Sequence, residues 1–372
     1  MKKLLRLALV LFLLAVAGAI WIGYEARVFL TTPPHAHGED IYIDVPAGAN
    51  LAQIADDLEQ KGAITDSRKF KWLARLKKSA HKLQAGRFLV NTGWLPEKTL
   101  DTLVNGMPAL YRITIPEGLT WWQTARLLEE NGLARAEDFE AVIRDPAFLR
   151  HYGIPFATAE GFLMPDTYLL KKPDSEMPPP AFHPANEADK RLLAEWRAQA
   201  RSVAGRLVDN FWRKTATLWP GQDEPEPGKL PKPNRDDLKK WATLASIVEK
   251  ETGVPGERRR VAGVYENRLA RNMLLQADPT VIYGMGPTFK GRLRRVNLED
   301  PANGYNTYLY PGLPPGPISS FGLAALQAAI QPEKHNYLFF VATGAGDSHT
   351  FSRNFEEHSR AVEQYRKAVR SK

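Results

Sequence analysis

The sequence predicts an α+β protein carried behind a single apolar N-terminal helix, and three observations support this. Residues 7–24 run without a charge behind Lys2, Lys3 and Arg6. A strand, a Pro-x-Gly turn and an amphipathic helix occur twice, as IYIDVPAGANLAQIADDLEQKGA from Ile41 and as YRITIPEGLTWWQTARLLEENGL from Tyr111. Helical apolar spacing then recurs through the second half, above all at Trp241, Leu244, Ala245 and Val248.

The apolar run is long enough to cross a hydrocarbon core as a helix, and its basic flank places the start in the cytoplasm and everything after Arg27 outside. A cleaved signal peptide is the competing reading, because the run is short and Ala15, Ala17 and Ala19 are small. The apolar character continues through Ile20, Trp21 and Ile22, where a cleavage region should turn polar. An uncleaved anchor over residues 1–28 is therefore expected. The chain has no cysteine, which excludes a lipoprotein, disulfides, thiol catalysis and thiolate metal sites. Its net charge of +8 suits an anionic partner, and outside the cytoplasm that means cell-wall polymer or lipid head groups rather than nucleic acid.

Residues 29–40 form a linker around TTPPHAHG, a stiff, extended spacer. Its His35 and His37 have no third ligand nearby in sequence, so no metal site is expected there. Residues 41–110 read as a small α/β module: strand IYIDV, a turn at Pro46 and Gly48, and a helix capped by Asn50 with Leu51, Ile54, Ala55 and Leu58 on one face. A helix with Phe70, Trp72, Leu73 and Leu76, a strand AGRFLV and a helix Thr99–Val104 follow. Residues 111–155 repeat the opening pattern as a second half-module, in which Trp121 and Trp122 suit either core packing or stacking on sugar rings.

Residues 156–372 form the remaining domain, with Pro-rich insertions near 171–184 and 220–236 and helices over 187–218, 257–272 and 323–330. EGFLMPDTYLL, from Glu160, reads as a turn-rich polar wall of a cleft or as a structural Pro-Asp turn. The density of Gly, Pro, Asn and Tyr over 279–319 predicts an irregular, polar-walled groove. Between these lies IVEKET. Its Glu249 and Glu251 point roughly 200° apart on a helix, so at most one can face a given cleft. A carboxyl at the end of a buried helix can stay protonated near neutral pH and act as a general acid. Both could equally be solvated residues of a helix that stops at Gly253 and Pro255, and periodicity does not choose between them.

ASIVEKET (245–252), LQADPTVIYG (275–284), YNTY with GLPPGPI (305–318), EGFLMPDTY (160–168) and YLFFVA with HTFS (337–352) stand in an order that resembles the membrane-anchored endolytic murein transglycosylases, the YceG-like (MltG) family. The stretch PAGANLAQIADDL is similar to LysM-like modules that bind N-acetylglucosamine. The resemblance implies a lysozyme-like catalytic region over 156–372 in which one Glu serves as both acid and base. Aligned on the Glu-Thr ending of the motif, that residue is Glu251 and not Glu249. Gln276, Asp278, Tyr305, Asn306 and Tyr308 are the candidates for holding the glycan, with Glu160 and Asp166 on the opposite wall; turn stabilisation is the alternative for each.

The implied reaction cleaves the MurNAc-GlcNAc bond of nascent peptidoglycan strands to leave 1,6-anhydroMurNAc ends, with no metal or other cofactor. The implied setting is the outer face of the inner membrane, beside the peptidoglycan synthases. A non-catalytic wall-binding scaffold and a hydrolase giving reducing ends are the rival readings. The sequence departs from the family pattern at Ala277, where Thr or Ser is usual, and at Phe321-Gly322, where Pro-Gly is common.

Overall fold

The computed structural model describes residues 2–370 apart from 47, 108, 174, 221–231 and 345–347, with side chains from residue 9 onward. Most of the Pro-rich insertion expected near 220–236 thus lies outside the described residues. The architecture is mixed α/β, and the chain divides into two compact units: 1–111 with 171–176, and 112–170 with 177–372.

The first unit opens with α1 (Lys2–Thr31), of which Leu9–Thr31 is long and apolar enough to cross a membrane. Strands β1 (Asp40–Val45) and β2 (Gly86–Asn91) pair antiparallel, with Ile43 opposite Phe88. Alternation turns Ile43, Val45, Phe88 and Val90 to one face. Helices α2 (Leu51–Gln60), α3 (Ser67–Leu76) and α4 (Pro96–Asn105) cover that face with Leu58, Phe70, Leu73 and Leu103. Phe29, near the end of α1, belongs to the same core.

The second unit begins within β3 (Tyr111–Ile115), which pairs with β4 (Asp166–Leu170), and the Thr114 and Thr167 hydroxyls meet across them at 2.8 Å. The turn-rich reading of 160–170 is corrected here, because its second half is a strand with Tyr168 and Leu170 turned inward. Between these strands run α5 (Trp121–Glu130), α6 (Ala136–Arg144) and α7 (Pro146–Tyr152). After them come α8 (Glu187–Thr215) and α9 (Arg235–Glu251). One 3-10 turn leads into α10 (Arg258–Ala270), followed by α11 (Asp278–Gly284), α12 (Arg295–Leu298) and α13 (Leu323–Ile330). The hairpin of β5 (Phe339–Ala342) and β6 (His349–Ser352) is covered by α14 (Phe355–Arg370).

The two copies of the sequence repeat share their local chemistry. Gly48 and Gly118 both take positive φ, at 79° and 78°, which an L side chain resists. Asn50 and Thr120 then cap α2 and α5, each in a reciprocal capping box with a Gln three residues on, Gln53 or Gln123.

Helix α9 begins where Asn234 Oδ1 accepts the Asp236 and Asp237 amides at 3.1 and 2.9 Å. Its buried face carries Leu244, Ala245, Ile247 and Val248 against α13 and α10. Ser246, also buried, accepts the Ile318 amide at 3.0 Å, and its carbonyl accepts Ser319 Oγ at 3.2 Å. Residues 318–320 are bonded on their other side too: Gly118 donates to Ser320 O, and Ser320 donates to Leu119 O, both at 2.7 Å. This length of chain is therefore a strap between α9 and the second Pro-x-Gly turn.

The strap explains one glycine in EGFLMPDTY. Gly161 has φ of 82°, and a Cβ there would stand 2.7 Å from Pro317 Cβ and 3.2 Å from Phe321. Gly161→Ala combines left-handed strain with overpacking, so it should cost roughly 2–4 kcal/mol. A urea midpoint unchanged from the parent chain would show that the strap does not press on this turn.

Candidate active site

Glu251 is the last residue of α9, half-buried, and the helix stops at Thr252, itself buried. Its carboxylate accepts the hydroxyl of Tyr265 from the neighbouring α10. Burial pushes its pKa up to about 7, and the Asp278 charge adds to the rise; the Tyr265 hydrogen bond and the Arg268 charge oppose it. The residue lines a cleft of about 330 Å³ with Arg268, Gln276, Asp278, Tyr308 and Phe340.

Each wall has an identifiable cause. Arg268 is buried and spends its guanidinium on main-chain carbonyls, Leu338 O at 2.7 Å and Leu275 O at 2.7 Å. It thereby fixes a positive charge at the back of the cleft. Gln276 holds φ at 50°, a strained value for a residue with a Cβ, while its amide bonds Thr307 O at 3.1 Å. That conformation leaves its side chain exposed at the rim. Asp278 opens α11 and accepts the Tyr308 hydroxyl at 2.6 Å.

Glu249 has different surroundings. Its Oε2 accepts the Gly322 amide at 3.1 Å, and its pKa is raised by burial, with the nearby Glu117 charge adding to the rise. Of the two IVEKET glutamates, Glu251 alone lines the cleft just described.

Not all the expected glycan-binding residues gather there. Asn306 is wholly buried, and its side-chain amide donates to Leu298 O at 3.0 Å and Asp300 O at 3.3 Å, while its Oδ1 accepts the Tyr308 amide. It shapes the YNTY loop from inside. Asp166 faces α8, paired with Lys214 at 2.8 Å and bonded by Asn210 at 2.8 Å, which corrects its placement on a cleft wall.

Glu160 is likewise corrected. It is 1 % exposed, its Oε2 accepts the Trp121 amide at 2.9 Å, and Tyr283 lies beside it. Burial lifts its pKa to about 8 against the pull of those hydrogen bonds. Tyr305 belongs to this second cluster, with its ring 4.9 Å from Tyr283, which in turn lies 4.9 Å from Trp122. Helix α11 thus carries Asp278 beside Glu251 at one end and Tyr283 beside Glu160 at the other.

Neither Tyr265 nor Arg268 was among the site residues expected from the sequence. Their spacing of three on α10 puts both on one helical face, which was the available signal. Phe339, Phe355 and His358 also line the cleft, and no feature of the sequence separated them from ordinary core residues.

The comparisons with known proteins fall on one family. Its model, described as the YceG-like family, matches residues 43–364. The chain is similar to a protein of Bacillus subtilis strain 168 named endolytic murein transglycosylase, at 26 % identity over 87 % of this chain and 84 % of that one. A protein of the same name from Streptococcus pneumoniae strain D39 is 25 % identical over 98 % of this chain and 65 % of its own length. In structure, the chain is similar to a yceG-like protein of Listeria monocytogenes, with a TM-score of 0.53 and 28 % identity, covering 87 % of this chain and 98 % of the other. A match running over most of the sequence settles the affiliation: the chain belongs to the YceG-like family.

Proposed function

We propose that this chain is an endolytic lytic transglycosylase that cleaves peptidoglycan strands, with Glu251 as its acid and base. The observation that carries the reading is a carboxyl of raised pKa, held by Tyr265 and lining a polar cleft. The names of the Bacillus and Streptococcus relatives support the same activity.

The chemistry fits such a group. A carboxyl with a pKa near 7 is partly protonated at neutral pH and ionises readily once it has given its proton away. Glu251 would protonate the oxygen between N-acetylmuramic acid and N-acetylglucosamine, and the substrate's own 2-acetamido carbonyl would stabilise C1 as that bond breaks. The carboxylate then takes the proton of the muramyl C6 hydroxyl, whose oxygen attacks C1 and closes the 1,6-anhydro ring. The proton is returned to the enzyme, and water is not consumed. Gln276, Asp278 and Tyr308, which line the cleft, would bind the sugar; Tyr305 is assigned to the same glycan from the neighbouring aromatic cluster.

Asp278 gives the hydrolase reading its only foothold, since a second carboxyl in a cleft can activate water. The two products differ by one water in mass. The resemblance of the β1–α2 stretch to a LysM-like module, a lysozyme-like catalytic domain over 156–372, a position beside the synthases and the periplasmic side of the inner membrane complete the proposal. An uncleaved α1 would confine the enzyme to strands near the membrane.

Glu251→Gln should abolish anhydromuramyl ends, read by mass spectrometry of digested glycan, while Glu249→Gln should reduce them only mildly. Reversed sensitivities would reject the assignment within the pair, and reducing ends from the parent chain would favour the hydrolase.

Cleavage should fall as pH rises through about 7, because the acid step needs the protonated carboxyl. Tyr265→Phe removes a hydrogen bond that favours the ionised form, so the alkaline limb should move to higher pH. A limb that stays in place or moves down would show that another group controls it.

Stability has its own pH dependence. Glu160 binds its proton more tightly folded, at about 8, than at its ordinary value of 4.5. Its contribution is thus present at low pH and lost as pH rises across that window. Glu160→Gln should flatten the fall in melting temperature between about pH 4.5 and 8 without changing the product. An unchanged slope would mean that Glu160 is ionised throughout.

A further inference from the structure

We propose that the exposed face of α3, together with the adjoining end of α1, is a docking surface for the anionic head groups and upper acyl region of a phospholipid bilayer. The inference rests on the reading of α1 as an uncleaved anchor.

Trp72 and Leu76 are 71 % and 81 % exposed on a helix whose other face, through Phe70 and Leu73, is built into the core. Beside them on α1, Trp21 and Ile22 are 64 % and 68 % exposed. Trp21, Ile22, Phe29, Trp72, Leu73 and Leu76 line one continuous apolar trough of about 520 Å³. Scattered apolar residues on a surface need no cause, whereas a contiguous patch built from two elements marks a partner.

The position of the trough names that partner. It lies against the last residues of the charge-free run, next to Glu25, the first charge beyond it. Lys69 of α3 pairs with Glu25 at 2.6 Å, and Phe29 is locked in the core with α3, so this helix is fixed at the level where α1 leaves hydrocarbon. A Trp and a Leu at that depth match the amphipathic belt of a bilayer interface.

Charge completes the argument. Residues 67–82, SRKFKWLARLKKSAHK, contain no acid. Lys71 and Lys77 pair with Asp56 and Glu97, but Arg68, Arg75, Lys78 and Lys82 are exposed and in no ion pair among the described residues. Exposed cations without ion pairs, in the same segment as an apolar strip, complement anionic lipid, since the strip enters the acyl boundary while the cations stay among the head groups.

The absence of any cysteine gives a clean test. Single variants Leu76→Cys, Leu89→Cys and Leu14→Cys of the full chain carry a nitroxide label and are reconstituted at low protein-to-lipid ratio in vesicles of phosphatidylcholine with or without phosphatidylglycerol. Leu89 is on the β2 face turned away from the helices and serves as the aqueous control. With anionic lipid present, the ratio of collisions with oxygen to collisions with a water-soluble nickel chelate should be severalfold higher at 76 than at 89, with 14 deeper still. The excess at 76 should shrink towards the control without phosphatidylglycerol or in the Arg75→Gln, Lys78→Gln, Lys82→Gln background.

A ratio at 76 equal to that at 89, while 14 remains deep, overturns the docking surface and leaves the anchor standing. Shielding of 76 from both reagents marks a protein partner or a second copy and overturns the lipid assignment. An excess that ignores lipid charge overturns the head-group part. A label at 14 open to the nickel reagent removes the anchor and the docking surface together.

Discussion

Desolvation of one carboxyl at the end of α9 is the constraint around which the second unit is arranged. A charged group half removed from water demands compensation, and here it receives one neutral hydrogen bond, from Tyr265, and one buried cation, Arg268. Arg268 would itself be costly in such a place, were its Nε and Nη1 not bonded to main-chain carbonyls of Leu338 and Leu275. The result favours neither protonation state strongly near neutral pH, which suits the acid and base role proposed for Glu251.

Much of this was legible in the sequence because it is local. The duplicated strand, turn and helix could be read from Pro-x-Gly and from the cap Asn50, and the structure adds the matching cap Thr120, each bonded to a Gln three residues on. The stripe of Leu244, Ala245 and Val248 gave α9, and Leu323–Ile330 appeared with the bounds it has. Glu249 and Glu251 were separable in direction by helical geometry, and their surroundings differ accordingly.

The failures were non-local. Nothing in EGFLMPDTYLL marks its second half as a strand until β3 is available to pair with it, and Asp166 looks like a cleft residue until Lys214, far along α8, arrives beside it. Asn306 and Tyr308 are two positions apart in one motif. One is wholly buried against carbonyls of its own loop while the other reaches the cleft, a division set by tertiary packing. Glu160 was misplaced for the same reason, since its partners Trp121 and Tyr283 come from segments distant in sequence on either side.

The strap at 318–320 carries a mechanical consequence. It bonds α9 on one side and the turn before α5 on the other, so opening either neighbour breaks hydrogen bonds to the segment that joins it to the other. Local fraying, the usual low-energy route to exchange and proteolysis, is thereby closed to both. The helix bearing Glu251 and the turn opening the second repeat become one cooperative block, and a single nick in those few residues would uncouple them.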